Sequence, residues 1–153
     1  MSCTSHLSIE QRLARLEAME AIRTLKHRYL NACDEKNVED IRRCFAEGPV
    51  SIDYGPVGVF ETREAFVDLY QTAACHEHVI DLHHGANPEI ELLSATEAKG
   101  RWALYYFNID SRSGATRQLG GFYDDEYRCI NGRWLISATR FVPHSMVETH
   151  PEP

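Results

Sequence analysis

Long hydrophobic runs are missing from these 153 residues. No stretch approaches the roughly 18–20 apolar residues that a membrane-crossing helix needs. A surplus of positive charge is missing too. Sixteen Lys and Arg stand against 23 Asp and Glu, for a net charge of −7, whereas binding a nucleic-acid backbone requires clustered cations. No CxxC occurs. The five cysteines, Cys3, Cys33, Cys44, Cys75 and Cys129, are odd in number and widely spaced. The first 25 residues carry Glu and Arg throughout, with no apolar heart of a signal peptide. A reduced, cytoplasmic setting is therefore the expectation. There is no glycine-rich phosphate loop, Walker motif or nucleophile elbow. The expectations are no membrane, no nucleic acid and no cofactor.

What remains is ordinary for a soluble domain: 43% hydrophobic and 25% charged residues. The length suits one domain with a sizeable core, expected to span residues 1–153 with 144–153 as a polar tail. Ser8 reads as an N-cap, and Gln11 three residues later completes a capping box. Ile9, Leu13, Leu16, Met19, Ile22, Leu25 and Tyr29 then form an apolar stripe on a helix ending near Asp34 or Lys36. Arg12, Arg15, Glu20, Arg23 and Lys26 fall on the other face, read as solvated. Asn37 caps a short second helix stopped by Gly48-Pro49, and Thr62 caps a third that fades near Ala74. Between those two, residues 50–54 and 57–60 read as a small hairpin.

From Val79 onward the pattern is β. Strands are expected at 79–84, 88–93, 101–109, 118–130 and 133–142. The last two are joined at Asn131-Gly132, a strong type I′ turn signal. Gly120-Gly121 marks a bend or close packing. Helices first and long antiparallel strands after imply an α+β domain: a strongly curved, mostly antiparallel mixed sheet with three helices covering one face and a small-molecule pocket between them.

The chemistry-bearing stretch is Asp81-Leu82-His83-His84-Gly85. A histidine steered by a carboxylate in an apolar domain is a general base. An imidazole takes up a proton near neutral pH, and an acid on its other nitrogen fixes the tautomer. Asp34 and Asp53 are the two acids available. Alternation puts Ile80, Leu82 and His84 on one face of the strand and Val79, Asp81 and His83 on the other. The greasier face carries His84, which favours His84 facing inward. His76, His78, His83 and His84 do not make a metal site, because the first two precede the strand and the last two point to opposite sides.

The segments Tyr29-Leu30-Asn31-Ala32-Cys33-Asp34, Ser51-Ile52-Asp53-Tyr54, His83-His84-Gly85-x-x-Pro88, Gly100-Arg101-Trp102 and Gly121-Phe122-Tyr123-x-x-Glu126-Tyr127, with Asn131-Gly132-x-Trp134 after them, resemble the SnoaL-like members of the NTF2-like superfamily. The likeness covers residues 8–142. Among the superfamily's members the chain resembles bile-acid 7α-dehydratase, scytalone dehydratase and hexachlorocyclohexane dehydrochlorinase. The resemblance implies a cone-shaped α+β barrel holding a small apolar, cyclic substrate. It also implies a cofactor-free lyase of dehydratase type, or an isomerase. On that resemblance His83 is the base, Asp34 its orienting acid, and Tyr29 and Tyr54 the groups that bind a substrate oxygen. Tyr106, Asn108, Phe122 and Phe141 are candidate pocket lining. Tyr106 stands where the bile-acid enzyme carries a second acid. The competing reading is a non-catalytic small-molecule binding domain on the same cone. A homodimer or homotrimer is expected, because a sheet of this kind exposes an outer face.

Overall fold

A computed structural model describes residues 6–152. Cys3 and the two chain ends lie outside the described residues. Helix α1 (Ile9–Asp34) opens on the expected capping box: Ser8 Oγ accepts the Gln11 N–H at 3.1 Å and Gln11 Oε1 accepts the Ser8 N–H at 2.9 Å. Such a cap contributes about 1 kcal/mol. Helix α2 (Val38–Cys44) is capped by Asn37, and α3 (Arg63–Ala74) by Thr62. Strands β1 (Ser51–Asp53) and β2 (Val59–Phe60) form the small hairpin. The long strands are β3 (Val79–Leu92), β4 (Glu97–Asp110), β5 (Thr116–Ile130) and β6 (Arg133–Thr149). They make one six-stranded sheet in the order β2-β1-β6-β5-β4-β3, antiparallel except where β1 lies parallel to β6. The sheet is open, curls around the helices and matches the α+β architecture expected. No helix among the described residues is long and apolar enough to cross a membrane.

Three features differ most from the sequence reading. The two strands expected at 79–84 and 88–93 are one. A bulge between Ala86 and Glu89, with Asn87 at φ 51°, absorbs Pro88 without ending the ladder. β6 does not stop at Val142, so the expected tail is strand as far as Thr149. Pro143 is tolerated because it sits at a second bulge, opposite Gly121, where its missing N–H costs little. The third difference is the α1 stripe. Ile9, Leu13 and Leu16 are exposed, because the first turns of α1 run past the end of the sheet.

Residues paired across a ladder share a face. The inner face, under the helices, therefore reads as rows. From the narrow end of the cone they are Ala98-Tyr127-Ile136, Gly100-Asp125-Thr139, Trp102-Tyr123-Phe141, Gly85-Leu104-Gly121-Pro143, His83-Tyr106-Leu119-Met146 and, at the mouth, Asp81-Asn108-Arg117-Glu148. The lower rows pack with Ile22, Leu30, Ile41, Phe45 and Phe66 into the core.

Candidate functional site

The C-terminal turns of α1 are buried round most of their circumference, at Tyr29, Leu30, Ala32 and Cys33. Asp34 thereby meets β3. Both Asp34 carboxylate oxygens accept the His83 backbone N–H, at 3.1 and 3.0 Å. Asp34 Oδ1 also lies 2.6 Å from His83 Nδ1. A carboxylate only accepts, so Nδ1 carries the proton and Nε2 is the basic nitrogen. One acid thus fixes the strand and the ring together. The side chains of His83 and Asp34 are 15% and 17% exposed, so the pair is sheltered yet reachable.

His83, not His84, faces inward. His84 points outward beside Tyr105, along with Ile80 (48% exposed) and Leu82 (43%). The greasy face of β3 is the outer one, against the expectation from alternation. Asp53 is also on the outer face. It accepts the Gly55 N–H at 3.0 Å and sits 3.8 Å from Arg140, away from the imidazole.

Tyr29 is buried and Tyr54 half-buried, and their hydroxyls lie 2.7 Å apart. Burial pushes both phenols well above their ordinary range, so both stay protonated. The Tyr106 ring lies 4.7 Å from the His83 ring, and its hydroxyl donates to Asp81 Oδ1 at 2.5 Å. Asn108 Nδ2 donates to the same oxygen at 2.8 Å. Phe141 faces inward against Tyr123, at 5.0 Å between rings. Phe122 does not join them: it points outward between Arg101 and His144. His76 and His78 stack on each other at 5.4 Å, before the strand.

Several inner groups escaped the sequence reading. Asp81 is buried and accepts from Lys36, Tyr106 and Asn108. Burial opposes its charge, but those three donors outweigh it and hold the carboxyl below the usual range. Strand alternation already placed Asp81 beside His83, two residues on. Lys26, read as solvated, is 0% exposed and donates to Asp125 Oδ2 at 2.7 Å. Tyr127 and Thr139 also donate to Asp125, and the ammonium sits 3.6 Å over the Tyr123 ring. Burial pulls the Lys26 ammonium below its usual range, and the Asp125 charge opposes that pull. The available signal was helical: Ile22, Lys26, Tyr29 and Cys33 follow the four-three-four spacing of one face. Cys33 is a buried filler. Burial drives its thiol far above the ordinary value, which leaves it inert. The described cysteines, Cys33, Cys44, Cys75 and Cys129, are unpaired.

Two surface grooves lie elsewhere. One, of about 660 Å³, runs over the outer sheet face along Glu91, Lys99, Arg101, Asp124, Glu126 and Arg140. Another, of about 550 Å³, lies between α2 and the β5–β6 turn.

Comparison with known proteins places the fold. A candidate scytalone dehydratase from Novosphingobium aromaticivorans superposes with a TM-score of 0.80 at 21% identity, over 91% of this chain and 92% of that one. The LinA-type3 hexachlorocyclohexane dehydrochlorinase from Novosphingobium barchaimii does so with a TM-score of 0.80 at 19% identity, over 93% and 99%. A candidate aromatic ring hydroxylase from Novosphingobium aromaticivorans gives 0.75 at 18%, over 94% and 96%. At these identities the likeness is one of fold, and the named chemistries differ. The model of the SnoaL-like domain matches residues 14–140, and the chain belongs to that family, within the NTF2-like superfamily.

Proposed function

We propose that the interior of the cone is the site of a cofactor-free lyase of dehydratase type, or of an isomerase, acting on a small apolar, cyclic molecule that carries a carbonyl or hydroxyl group. In this reading His83 Nε2 removes the proton. Asp34 keeps the other ring nitrogen protonated and steadies the imidazolium that forms. Tyr29 and Tyr54 share one hydrogen bond, which leaves one O–H free to meet a substrate oxygen as negative charge builds on it. In the same reading Tyr106, Asn108 and Phe141 contact the substrate. The observation that carries the reading is the 2.6 Å contact between His83 and Asp34, with the same carboxylate anchoring the His83 backbone. Proton transfer of this kind contributes roughly 10²–10⁴-fold.

The test is proton exchange. A panel of cyclic ketones and β-hydroxy ketones is incubated with the protein in D2O and followed by NMR for loss of the hydrogens beside the carbonyl, with water elimination read in parallel. Wild type is expected to exchange at least one probe, Asp34→Asn to do so roughly 10²–10⁴-fold more slowly, and His83→Ala not at all. Equal rates in wild type and His83→Ala would sink the catalytic reading. The competing reading, a non-catalytic small-molecule binding domain, draws on the Tyr29–Tyr54 contact: one of the two O–H groups is already spent on its neighbour.

Self-association belongs to the same proposal. On the outer face, the rows Leu82-Phe107-Gln118-Val147, His84-Tyr105-Gly120-Ser145 and Ala86-Ala103-Phe122-Val142 make an apolar field near the mouth, which a second copy in a dimer or trimer would cover. With unpaired cysteines, the expected compartment is the reducing cytoplasm.

A further inference from the structure

Lys36 occupies an unusual backbone position. After α1 the Lys36 N–H donates to the Cys33 carbonyl at 3.3 Å and the Asn37 N–H to the Ala32 carbonyl at 2.9 Å, while Lys36 itself has φ 59°. This is the Schellman ending of a helix, whose left-handed residue is usually glycine. A lysine there is strained relative to glycine. The same turn carries its side chain across to β3, where the ammonium meets the Asp81 carboxylate. Asp81 holds Tyr106 and Asn108 by their donors, and the Tyr106 ring lies against the His83 ring. A charge of each sign therefore stands beside the imidazole, and the two offset one another.

We propose that Lys36 and Asp81 form a neutral positioning pair that seats Tyr106 against His83 and whose two charges cancel at the His83 ring. The role of His83 as base rests on the reading above, but the pair's effect on the ring does not. Asp81 is two residues from His83 on the same face, about 6.6 Å along the strand. At that range one uncompensated charge, partly screened, moves a titration by about half a unit to one unit. Asp34 from α1 and Tyr106 from β4 face the ring; the other titratable groups on the surrounding elements are Cys33 from α1, Tyr70 from α3, Arg117 from β5 and Glu148 from β6. Arg117 and Glu148 pair with each other at the mouth, at 2.6 Å. All of these are left in place in the variants below.

The experiment is a pH titration of the histidine ring signals of the full chain by NMR, with His83 identified by the signal that His83→Ala removes. Asp81→Asn is expected to move the His83 midpoint to lower pH, because a neighbouring negative charge is gone. Lys36→Met is expected to move it to higher pH, because Asp81 is left unbalanced and is still held by Tyr106 and Asn108. The double variant Lys36→Met/Asp81→Asn is expected to return close to wild type. Lys36→Gly keeps the turn, relieves its backbone strain and is expected to shift the midpoint like Lys36→Met, which guards the test against a variant that folds poorly. Midpoints that stay put in the single variants, or that move the same way in both, would overturn the proposal and leave the pair a purely structural clasp. The titration cycle can hold while no probe is exchanged, which would reject the base reading alone.

Discussion

The inner and outer faces of one sheet reverse the usual distribution. Toward the mouth, the outer face carries Ile80, Leu82, Tyr105, Phe107, Phe122, Val142 and Val147. The inner face carries Asp81, His83, Tyr106, Asn108 and Arg117. Nearer the narrow end the outer face becomes a ladder of alternating charge, Glu89-Arg101-Asp124-Arg140-Asp53 across five strands, with Glu91-Lys99-Glu126 beside it. There the inner face is core, pierced by the Lys26–Asp125 ion pair and Thr139. Hydrophobic residues outside and ionisable residues inside are costly separately. The inner groups are tolerated because each is partnered: among the described residues no buried side-chain nitrogen or oxygen lacks a hydrogen bond. Among the described residues no element packs over the outer apolar field. A polar interior is what chemistry requires, and an apolar exterior is what association requires.

The comparison is broken most sharply at its deepest inner point. Lys26→Met leaves Asp125 buried beside only Tyr127 and Thr139. Breaking such a pair is expected to cost about 3–5 kcal/mol, read by urea unfolding. If Lys26 were the solvated residue its charge suggests, the cost would be under about 0.5 kcal/mol.

The adjacent glycines provide a controlled contrast between the faces. A Cβ at Gly121 would meet the Phe141 ring at 2.5 Å and the Val142 carbonyl oxygen at 2.6 Å, so Gly121→Ala must move backbone. It is expected to cost about 1–3 kcal/mol. A Cβ at Gly120, on the outer face, meets only the Ser145 hydroxyl at 2.7 Å, which can turn away. Gly120→Ala is expected to cost clearly less in the same unfolding assay, and equal costs would contradict the facing derived from the ladder.

Acid sharpens the contrast further. The Asp81 carboxyl is held below the usual range in the folded chain, so it contributes stability that is present above about pH 4 and lost as pH falls through the folded value. Wild type is expected to lose stability over that acid window more steeply than Asp81→Asn, as followed by thermal melts at successive pH. The smallest effect on monomer stability is expected outside. Leu82→Lys replaces an apolar group that is already 43% exposed, and should change unfolding by under about 0.5 kcal/mol. It should nevertheless disperse any assembly, read as a fall in mass by light scattering. An unchanged mass would place the interface elsewhere.

Much of this was legible in the chain. Ser8, Asn37 and Thr62 announced three helix starts through local hydrogen bonds that need no tertiary partner. Asn131 and Gly132, at φ 50° and 76°, announced the last hairpin for the same reason. Asp34 and His83 were legible through their likeness to a family, not through spacing. Asp53 lost the competition for the ring because β1 pairs parallel to β6 and turns it outward. Phe122 was placed in the pocket by its motif and on the outer face by strand parity. Lys26 was misread because a charge on a helix is usually solvated, and only the Asp125 carboxylate across the core makes its burial tolerable.

The sequence by itself determined the helix caps, the turns, the order of elements and the chemical types available, since these depend on residues within a few positions of one another. The tertiary structure decided which face of each strand looks inward, and therefore which histidine and which acids meet. A period of two leaves both faces of a strand equivalent until something covers one of them. Here α1 covers the face that carries Asp81 and His83.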